Sequence, residues 1–339
     1  MRVAVVAGDP GGGNVLLPVL QELRDAGFSL RLFAYGSTLA RWAAEGWVVV
    51  SAETPDLSDC DVLLTATSVN AMMHELHWWQ AAKAAGIPSF AVVDFWSNYL
   101  ARFTTADGKP VFPDRIGLPD GAALAAAADA GLPAERLCVA GVPVLEQLGR
   151  RPPLTATRKA EIRRINHVAA GKELWIFVSQ PLREMAALTG RGGLDELQIL
   201  QDIQRALAEL QLPVALRLRQ HPREPACEFT SDWADFALLK ADDIYDCLCA
   251  ADKVLGISSM LLLEAAALGC PVLSYQPGMT ACTDGLPWQE QGAIVRAYGF
   301  PELLVRLRQR NTHGCMIMKP NEINASSRIR YELEKMKGL

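Results

Sequence analysis

Short apolar runs alternate with helical patterns along this chain, and the alternation occurs twice. Residues 2–7, 29–34, 62–67 and 89–94 read as strands. Between them, 14–26, 37–45 and 70–85 carry helical periodicity, the first closed by Gly27 and the last by Gly86. Strands that are apolar on both faces need helices on both, which indicates a parallel sheet in an α/β protein. An Ala-rich helix, a short strand in "RLCVAGVPVLEQL" and a further helix start fill 120–150. Prolines and basic charge in "GRRPPLTATRKAEIRR" (149–164) break the pattern and place a linker and an early helix there. The alternation then restarts, with strands in 174–181, 213–222, 253–259 and 271–275. Helices follow at 194–211, 243–251, 261–269 and 301–310, and 321–337 reads as an exposed charged helix. A chain of 339 residues accommodates two such domains.

Composition narrows the partners. A net charge of −5 carries no global footprint for nucleic acid, so no nucleic-acid partner is expected. Eight cysteines form no C-x-x-C pair, and Cys247 and Cys249 are too close for zinc-ligand spacing. They read as reduced thiols of a cytoplasmic protein. The Met-Arg start followed by a strand does not resemble a signal peptide, and no run of about 20 apolar residues suggests a membrane span.

Open parallel sheets bind ligands outside the carboxyl ends of their strands, so the informative residues follow each strand, with the site expected between the two domains. The first such stretch is "GDPGGGN", residues 8–14. The dinucleotide fingerprint fits Gly11 and Gly13 but finds Leu16 where the third glycine belongs. The P-loop pattern fits Gly8 and Gly13, but Asn14 and Val15 stand where Lys and Ser/Thr are required. Neither NAD nor ATP is expected here. Gly11, Gly12 and Gly13 permit φ > 0 and close approach of a ligand to bare backbone, with Asp9 and Asn14 lining the approach. The alternative is a tight turn without a ligand.

The most specific stretch is "ADKVLGISSMLLLEAAALGCPVLSYQPG", residues 251–278. Ser258 and Ser259 stand where a helix begins and can cap its free N–H groups. Glu264 lies within an apolar, hence buried, helix, where a lone carboxylate is costly. It can accept both hydroxyls of a ribose diol while the helix amino terminus holds the attached phosphate. Pairing with a buried Arg or Lys is the other reading.

"GISS…LLLEAAALGCPVL" resembles the nucleotide-sugar signature of the GT-B glycosyltransferase superfamily, which includes the non-hydrolysing UDP-N-acetylglucosamine 2-epimerases. The matching positions are Glu264, Leu268, Gly269 and Pro271. "LRQHPRE" (218–224) resembles the His-Pro motif of bacterial polysialyltransferases and teichoic-acid glycerophosphotransferases, which also carry paired serines. "DPGGGNVLLPVL" and "VDFWSNYLARF" resemble bacterial surface-polysaccharide biosynthesis proteins of the same superfamily. The resemblance implies an α/β fold of two Rossmann-like domains facing across a cleft. Residues 1–150 would be the acceptor-side domain, 165–315 the nucleotide-sugar domain and 316–339 a terminal helix. It further implies that His221, Pro222 and Arg219 contact the donor. Ser179, Gln180 and Arg183, after the strand in "FVSQPLRE", would hold a diphosphate or form an ordinary turn.

Asp59-Cys60-Asp61 precedes its strand and therefore lies at the wrong sheet edge for a catalytic metal, so no metal and no cofactor beyond the nucleotide sugar are expected. Charge on the leaving phosphate would be met by helix amino termini and Arg or His donors. Inverting transfer needs a general base. Asp94, beside Phe95, Trp96 and Asn98, sits in an apolar setting that would raise its pKa, with Asp9 second and a turn or cap role as the alternative for both. His74 and His77 read as packing or acceptor contacts. The expected function is a metal-independent glycosyltransferase moving sugar from a UDP-, CMP- or CDP-linked donor to a glycan, lipid-linked or protein acceptor in surface-polysaccharide assembly, which leaves peripheral membrane association open. A sugar-nucleotide epimerase or hydrolase is the alternative, disfavoured by the absence of a Gly-Thr-Arg-Pro-Glu-like opening. A nonenzymatic nucleotide-sugar-binding protein is the third reading.

Overall fold

A computed structural model describes residues 1–51, 53–68, 72–183, 195–221, 224, 237–288, 292–309 and 324–336. The chain divides into two units, Met1–Gln147 with Pro320–Leu339, and Leu148–Lys319.

In unit 1, strands β1 (Arg2–Ala7), β2 (Ser29–Ala34), β3 (Val49–Ser51), β4 (Val62–Thr65), β5 (Ser89–Val92), β6 (Arg115–Leu118) and β7 (Leu137–Val139) form one sheet. Its order is β3-β2-β1-β4-β5-β6-β7, with every pairing parallel. The connections include helices α1 (Pro10–Asp25), α2 (Gly36–Ala44), α3 (Met72–Ala85) and α4 (Gly121–Asp129), followed by α5 (Pro143–Gly149) after β7. β1, β4 and β5 bury almost every side chain because helices cover both faces. Trp42 locks α2 onto α1: its ring is fully buried and its Nε1 donates to the Gly13 carbonyl at 3.1 Å.

Unit 2 repeats the design. Helix α6 (Ala156–Ile165) precedes β8 (Glu173–Val178), α7 (Glu196–Leu210), β9 (Val214–Arg219), β10 (Ala237–Leu238), α8 (Ile244–Ala250) and β11 (Lys253–Gly256). Then come α9 (Met260–Ala267), β12 (Val272–Tyr275), β13 (Val295–Ala297) and α10 (Phe300–Arg308). The sheet order is β10-β9-β8-β11-β12-β13, again parallel throughout. Both sheets grow outward from a central pair, β1 with β4 and β8 with β11. These pairs are the topological switch points, where diverging connections leave a crevice at the carboxyl ends.

The two Rossmann-like sheets agree with the fold expected from sequence. Three local expectations change. Strand β6 is not among the strands expected from sequence: only four residues long, it lies between Pro113 and Pro119. Helix α11 (Ala325–Met336) is not an exposed helix, because Ala325, Ile329, Leu333 and Met336 are buried within unit 1. Buried Glu146 fastens it, accepting from the Ala325 N–H at 2.8 Å and pairing with Arg328 at 2.8 Å. The third change concerns the glycine turn. Pro10 opens α1, so Gly11, Gly12 and Gly13 form its first turn, and none has positive φ.

Candidate functional site

At the β1–β4 switch point the glycines make room for neighbouring parts of the chain. A side chain on Gly12 would meet the Ala66 methyl at 2.5 Å, and one on Gly13 would overlap Thr38. One on Gly11 would strike the Asp94 carboxylate, and one on Gly8 would enter the Tyr35 ring. Gly12 and Gly13 are buried, whereas Gly11 and Asn14 are half-buried. The expectation that the glycines bare their backbone through φ > 0 is therefore corrected: they let α1 sit tightly on the ends of β2, β4 and β5. Asp9 is the residue before α1 and its carbonyl accepts from the Gly13 N–H at 2.9 Å; its carboxylate makes no capping bond. Thr38 Oγ1 donates to the carbonyls of Gly8 at 2.7 Å and Asp9 at 3.1 Å.

Asp94 follows β5 as expected, but its setting is ionic. Arg102, 3% exposed, donates from Nη1 to Asp94 Oδ1 at 2.5 Å and to Thr67 Oγ1 at 2.9 Å. Its Nε donates to the Ser97 carbonyl at 3.1 Å. The apolar setting expected around Asp94 is corrected to an ion pair with Arg102. Arg102 lies eight residues on, inside the apolar stretch "NYLARF", where an arginine signals such a partner.

A second buried carboxyl at this edge carries no motif. Glu75 of α3 is fully buried and accepts from Ser68 Oγ at 2.7 Å. Ser68 Oγ is 3.0 Å from the Tyr35 hydroxyl, and the Tyr35 ring stacks on His74 with centroids 4.3 Å apart. Burial pushes the Glu75 carboxyl up to about 7, against the opposing hydrogen bonds from Tyr35 and Ser68. His77 is exposed on the same helix. Asp59 and Asp61 lie before β4 at the opposite edge, where both pair with Arg2, at 3.4 and 3.7 Å.

At the β8–β11 switch point Gln180 spans the crevice: its Oε1 accepts from the Ser258 N–H at 2.6 Å. Ser259 caps α9, accepting from the Leu261 N–H at 3.2 Å. Glu264 lies farther along the same helix, 4% exposed. Ser179 donates to Glu224 Oε1 at 2.6 Å, and Glu224 Oε2 accepts from the His221 N–H at 2.6 Å. Glu224, which sequence reasoning did not single out, thereby ties the ends of β8 and β9 together. Arg219 ends β9, and its carbonyl accepts from the Ser179 N–H at 3.0 Å. Ser179, Gln180, Arg219, His221, Ser258 and Ser259 thus all lie at the carboxyl edge; Pro222 and Arg223 fall outside the described residues. Arg183 Nε lies 3.2 Å from Glu196 and 3.7 Å from Asp195 at the start of α7.

The loop after β12 is set by a further cluster. Asp284, with its side chain wholly buried, pairs with Arg296 at 2.5 Å and accepts from Tyr298 at 2.9 Å, Gln276 at 2.5 Å and the Leu286 N–H at 2.8 Å. Burial and this bond push the Tyr298 hydroxyl up to about 12. The adjacent Gly285 backs onto Ser258: a side chain there would come within 3.1 Å of the serine Cβ.

No protein-family model matches the chain, and no curated protein matches it at a significant level. Solved structures do. A UDP-GlcNAc 2-epimerase from Neisseria meningitidis bound to UDP-GlcNAc is similar with a TM-score of 0.67 and 15% identity, over 99% of this chain and 100% of that one. An S. aureus protein solved with UDP, MnaA, gives 0.66 and 14%, over 100% and 97%. An Anabaena protein, HepE, in complex with UDP-glucose gives 0.59 and 13%, over the full length of both chains. UDP-GlcNAc 2-epimerases recur among these similar structures. They overturn the glycosyltransferase expected from sequence and favour the epimerase-type alternative. The motifs behind that expectation go with a fold shared by both reaction classes, so they could not separate them. No described helix is long and apolar enough to cross a membrane.

Proposed function

We propose that the chain processes a nucleotide sugar without a glycosyl acceptor, as an epimerase or hydrolase of the UDP-GlcNAc 2-epimerase type. The observation that carries this reading is the β8–β11 switch point, where a capped helix amino terminus and a buried carboxylate occupy one short helix of a fold shared end to end with such epimerases. In this reading the diphosphate rests at the amino terminus of α9, beside Ser258 and Ser259, where the helix dipole favours an anion. Glu264 accepts the ribose hydroxyls, and His221 and Arg219 supply charge to the leaving phosphate. The opening turn, Gly8-Asp9-Pro10-Gly11-Gly12, departs from the Gly-Thr-Arg-Pro-Glu type.

A thermal-shift panel of UDP, CMP, CDP, GDP and their sugars tests the binding half. A nucleotide at 100 times its Kd adds about 2.7 kcal/mol of stability. The Glu264→Ala variant loses charge-assisted hydrogen bonds and binds about 10- to 100-fold more weakly. A melt unmoved by every nucleotide contradicts the proposal. Binding without turnover would favour a nonenzymatic binding protein.

A further inference from the structure

Two free thiols of unit 2, Cys249 and Cys270, are hydrogen-bond partners of each other. Cys249 lies in the last turn of α8, and Cys270 follows the Gly269 turn that ends α9. Between them run residues 250–269, which hold β11, Ser258, Ser259 and the whole of α9. Cys270 is 4% exposed, and its Sγ donates to the Leu248 carbonyl at 3.1 Å. That bond seats the Cys270 sulfur on the last turn of α8, beside Cys249. The backbone fixes Cys270 from the other side. Gly269, at φ 79°, turns the chain so that the Cys270 N–H reaches the Ala265 carbonyl at 3.0 Å and caps α9. Both helices therefore set the position of this sulfur.

The two thiols differ in access and in charge. Cys249 is half-buried, so small solutes reach it, whereas Cys270 is buried. The Cys270 S–H favours the Cys249 thiolate, burial opposes it, and the Arg151 guanidinium favours it again. Asp246 and Asp243, which Arg151 binds at 2.7 and 2.8 Å, oppose it. The balance holds the Cys249 thiol below its ordinary range. The bond between the thiols, with burial, pushes Cys270 up strongly, and Lys159 acts the other way. Burial pushes Cys247, on the same helix, up to about 11, and raises Cys60 and Cys138 as well. Cysteines react as thiolates, so Cys249 leads these three in reactivity at neutral pH. An accessible, readily ionised thiol in contact with a protonated one suits oxidation of the first and its resolution by the second.

We propose that Cys249 is an oxidation site for hydroperoxides, resolved by Cys270 into a disulfide that clamps α9 to α8. The site stands on unit 2 by itself and does not depend on the nucleotide-sugar reading. With hydrogen peroxide, the Cys249 sulfur bonds to one peroxide oxygen as the O–O bond breaks. The leaving hydroxide takes the thiol proton and departs as water. Sulfur gives up two electrons and the peroxide accepts them. The Cys270 sulfur then attacks the sulfur of the Cys249 sulfenic acid, and the S–O bond breaks. Hydroxide departs with the Cys270 proton as a second water. Two thiols and one peroxide thus become one disulfide and two waters, and an added dithiol reverses the bond by exchange. The closed loop encircles residues 250–269 and restrains the unfolded chain, which stabilises the oxidised protein.

The test treats the reduced full-length chain with hydrogen peroxide at neutral pH, alkylates the remaining thiols and maps the cysteine peptides by mass spectrometry. The Cys249 and Cys270 peptides emerge joined and without alkyl label, and a dithiol separates them. In Cys270→Ser the reaction stops at the sulfenic acid, which dimedone traps at Cys249. In Cys249→Ser the Cys270 thiol stays reduced. The oxidised wild type melts about 5–10 °C above the reduced protein, and peroxide produces no such rise in either serine variant. A Cys249 that is still alkylated in full after peroxide, or that is oxidised without bonding to Cys270, overturns the proposal. Oxidation of Cys247 ahead of Cys249 overturns it as well, and a disulfide that leaves the melting temperature unchanged overturns the clamp.

Discussion

Asp284→Ala destabilises unit 2 by about 3–5 kcal/mol, the usual cost of removing one partner of a buried ion pair. The carboxylate is fully buried, and it satisfies a half-buried network: Arg296, Tyr298, Gln276 and the Leu286 N–H all point at its two oxygens. Alanine leaves the Arg296 guanidinium, 9% exposed at its side chain, without its counter-charge. For a unit of this size the loss lowers Tm by on the order of 10 °C. Affinity for nucleotide falls as well, because the loop that backs onto Ser258 is held in place through Asp284 and Gln276. Asp284→Asn retains part of the hydrogen bonding and falls between. Calorimetry of the three proteins checks this, and equal melting temperatures would contradict the account of the loop.

The second large effect is a dependence of unit 1 stability on pH. Burial raises the Glu75 carboxyl from 4.5 to about 7 in the folded chain. The folded state therefore binds the proton more tightly than the unfolded state does. The stabilisation from protonated Glu75 is fully present below pH 4.5 and is lost as pH rises to 7, where the folded protein also ionises. The loss over that window is on the order of 3 kcal/mol. Glu75→Gln, which carries no charge at any pH, removes this slope. Denaturant titrations of unit 1 at pH 5 and pH 8 measure it: the difference between the two pH values shrinks in the variant by about that amount. An identical difference in both proteins would mean that Glu75 is not a buried titrating group.

Most of the scaffold was legible because parallel strands buried on both faces write themselves as continuous apolar runs. The runs at 2–7 and 29–34 coincide with β1 and β2. Four-residue β6 left too little pattern between its prolines, and the many charges of α11 hid a buried stripe spaced at three and four residues. The glycines at 11–13 looked like a ligand turn because local chemistry permits one; packing against Ala66, Thr38 and Asp94 gives them another purpose.

The site was legible in part. Ser258, Ser259 and Glu264 stand on one contiguous element, so spacing alone placed them at a strand end and within the following helix. The networks that tune the edges were not visible. Tyr35, Ser68 and Glu75 come from three separate segments, and Asp284 meets Arg296 only when the loop after β12 folds back. Asp94 was found, but its chemistry depended on Arg102, whose partner no local pattern reveals.

The central claim is that the nucleotide sugar is transformed with no acceptor present. The direct measurement is a ¹H NMR time course of the full-length chain with the nucleotide sugar selected by the binding panel, UDP-GlcNAc first, in buffer free of any other sugar or lipid. The account predicts either an epimerised nucleotide sugar or free nucleotide with free sugar, at a rate that collapses in Glu264→Ala. A nucleotide sugar that stays intact until a hydroxyl acceptor is added, and then yields a new glycosidic bond, would contradict it.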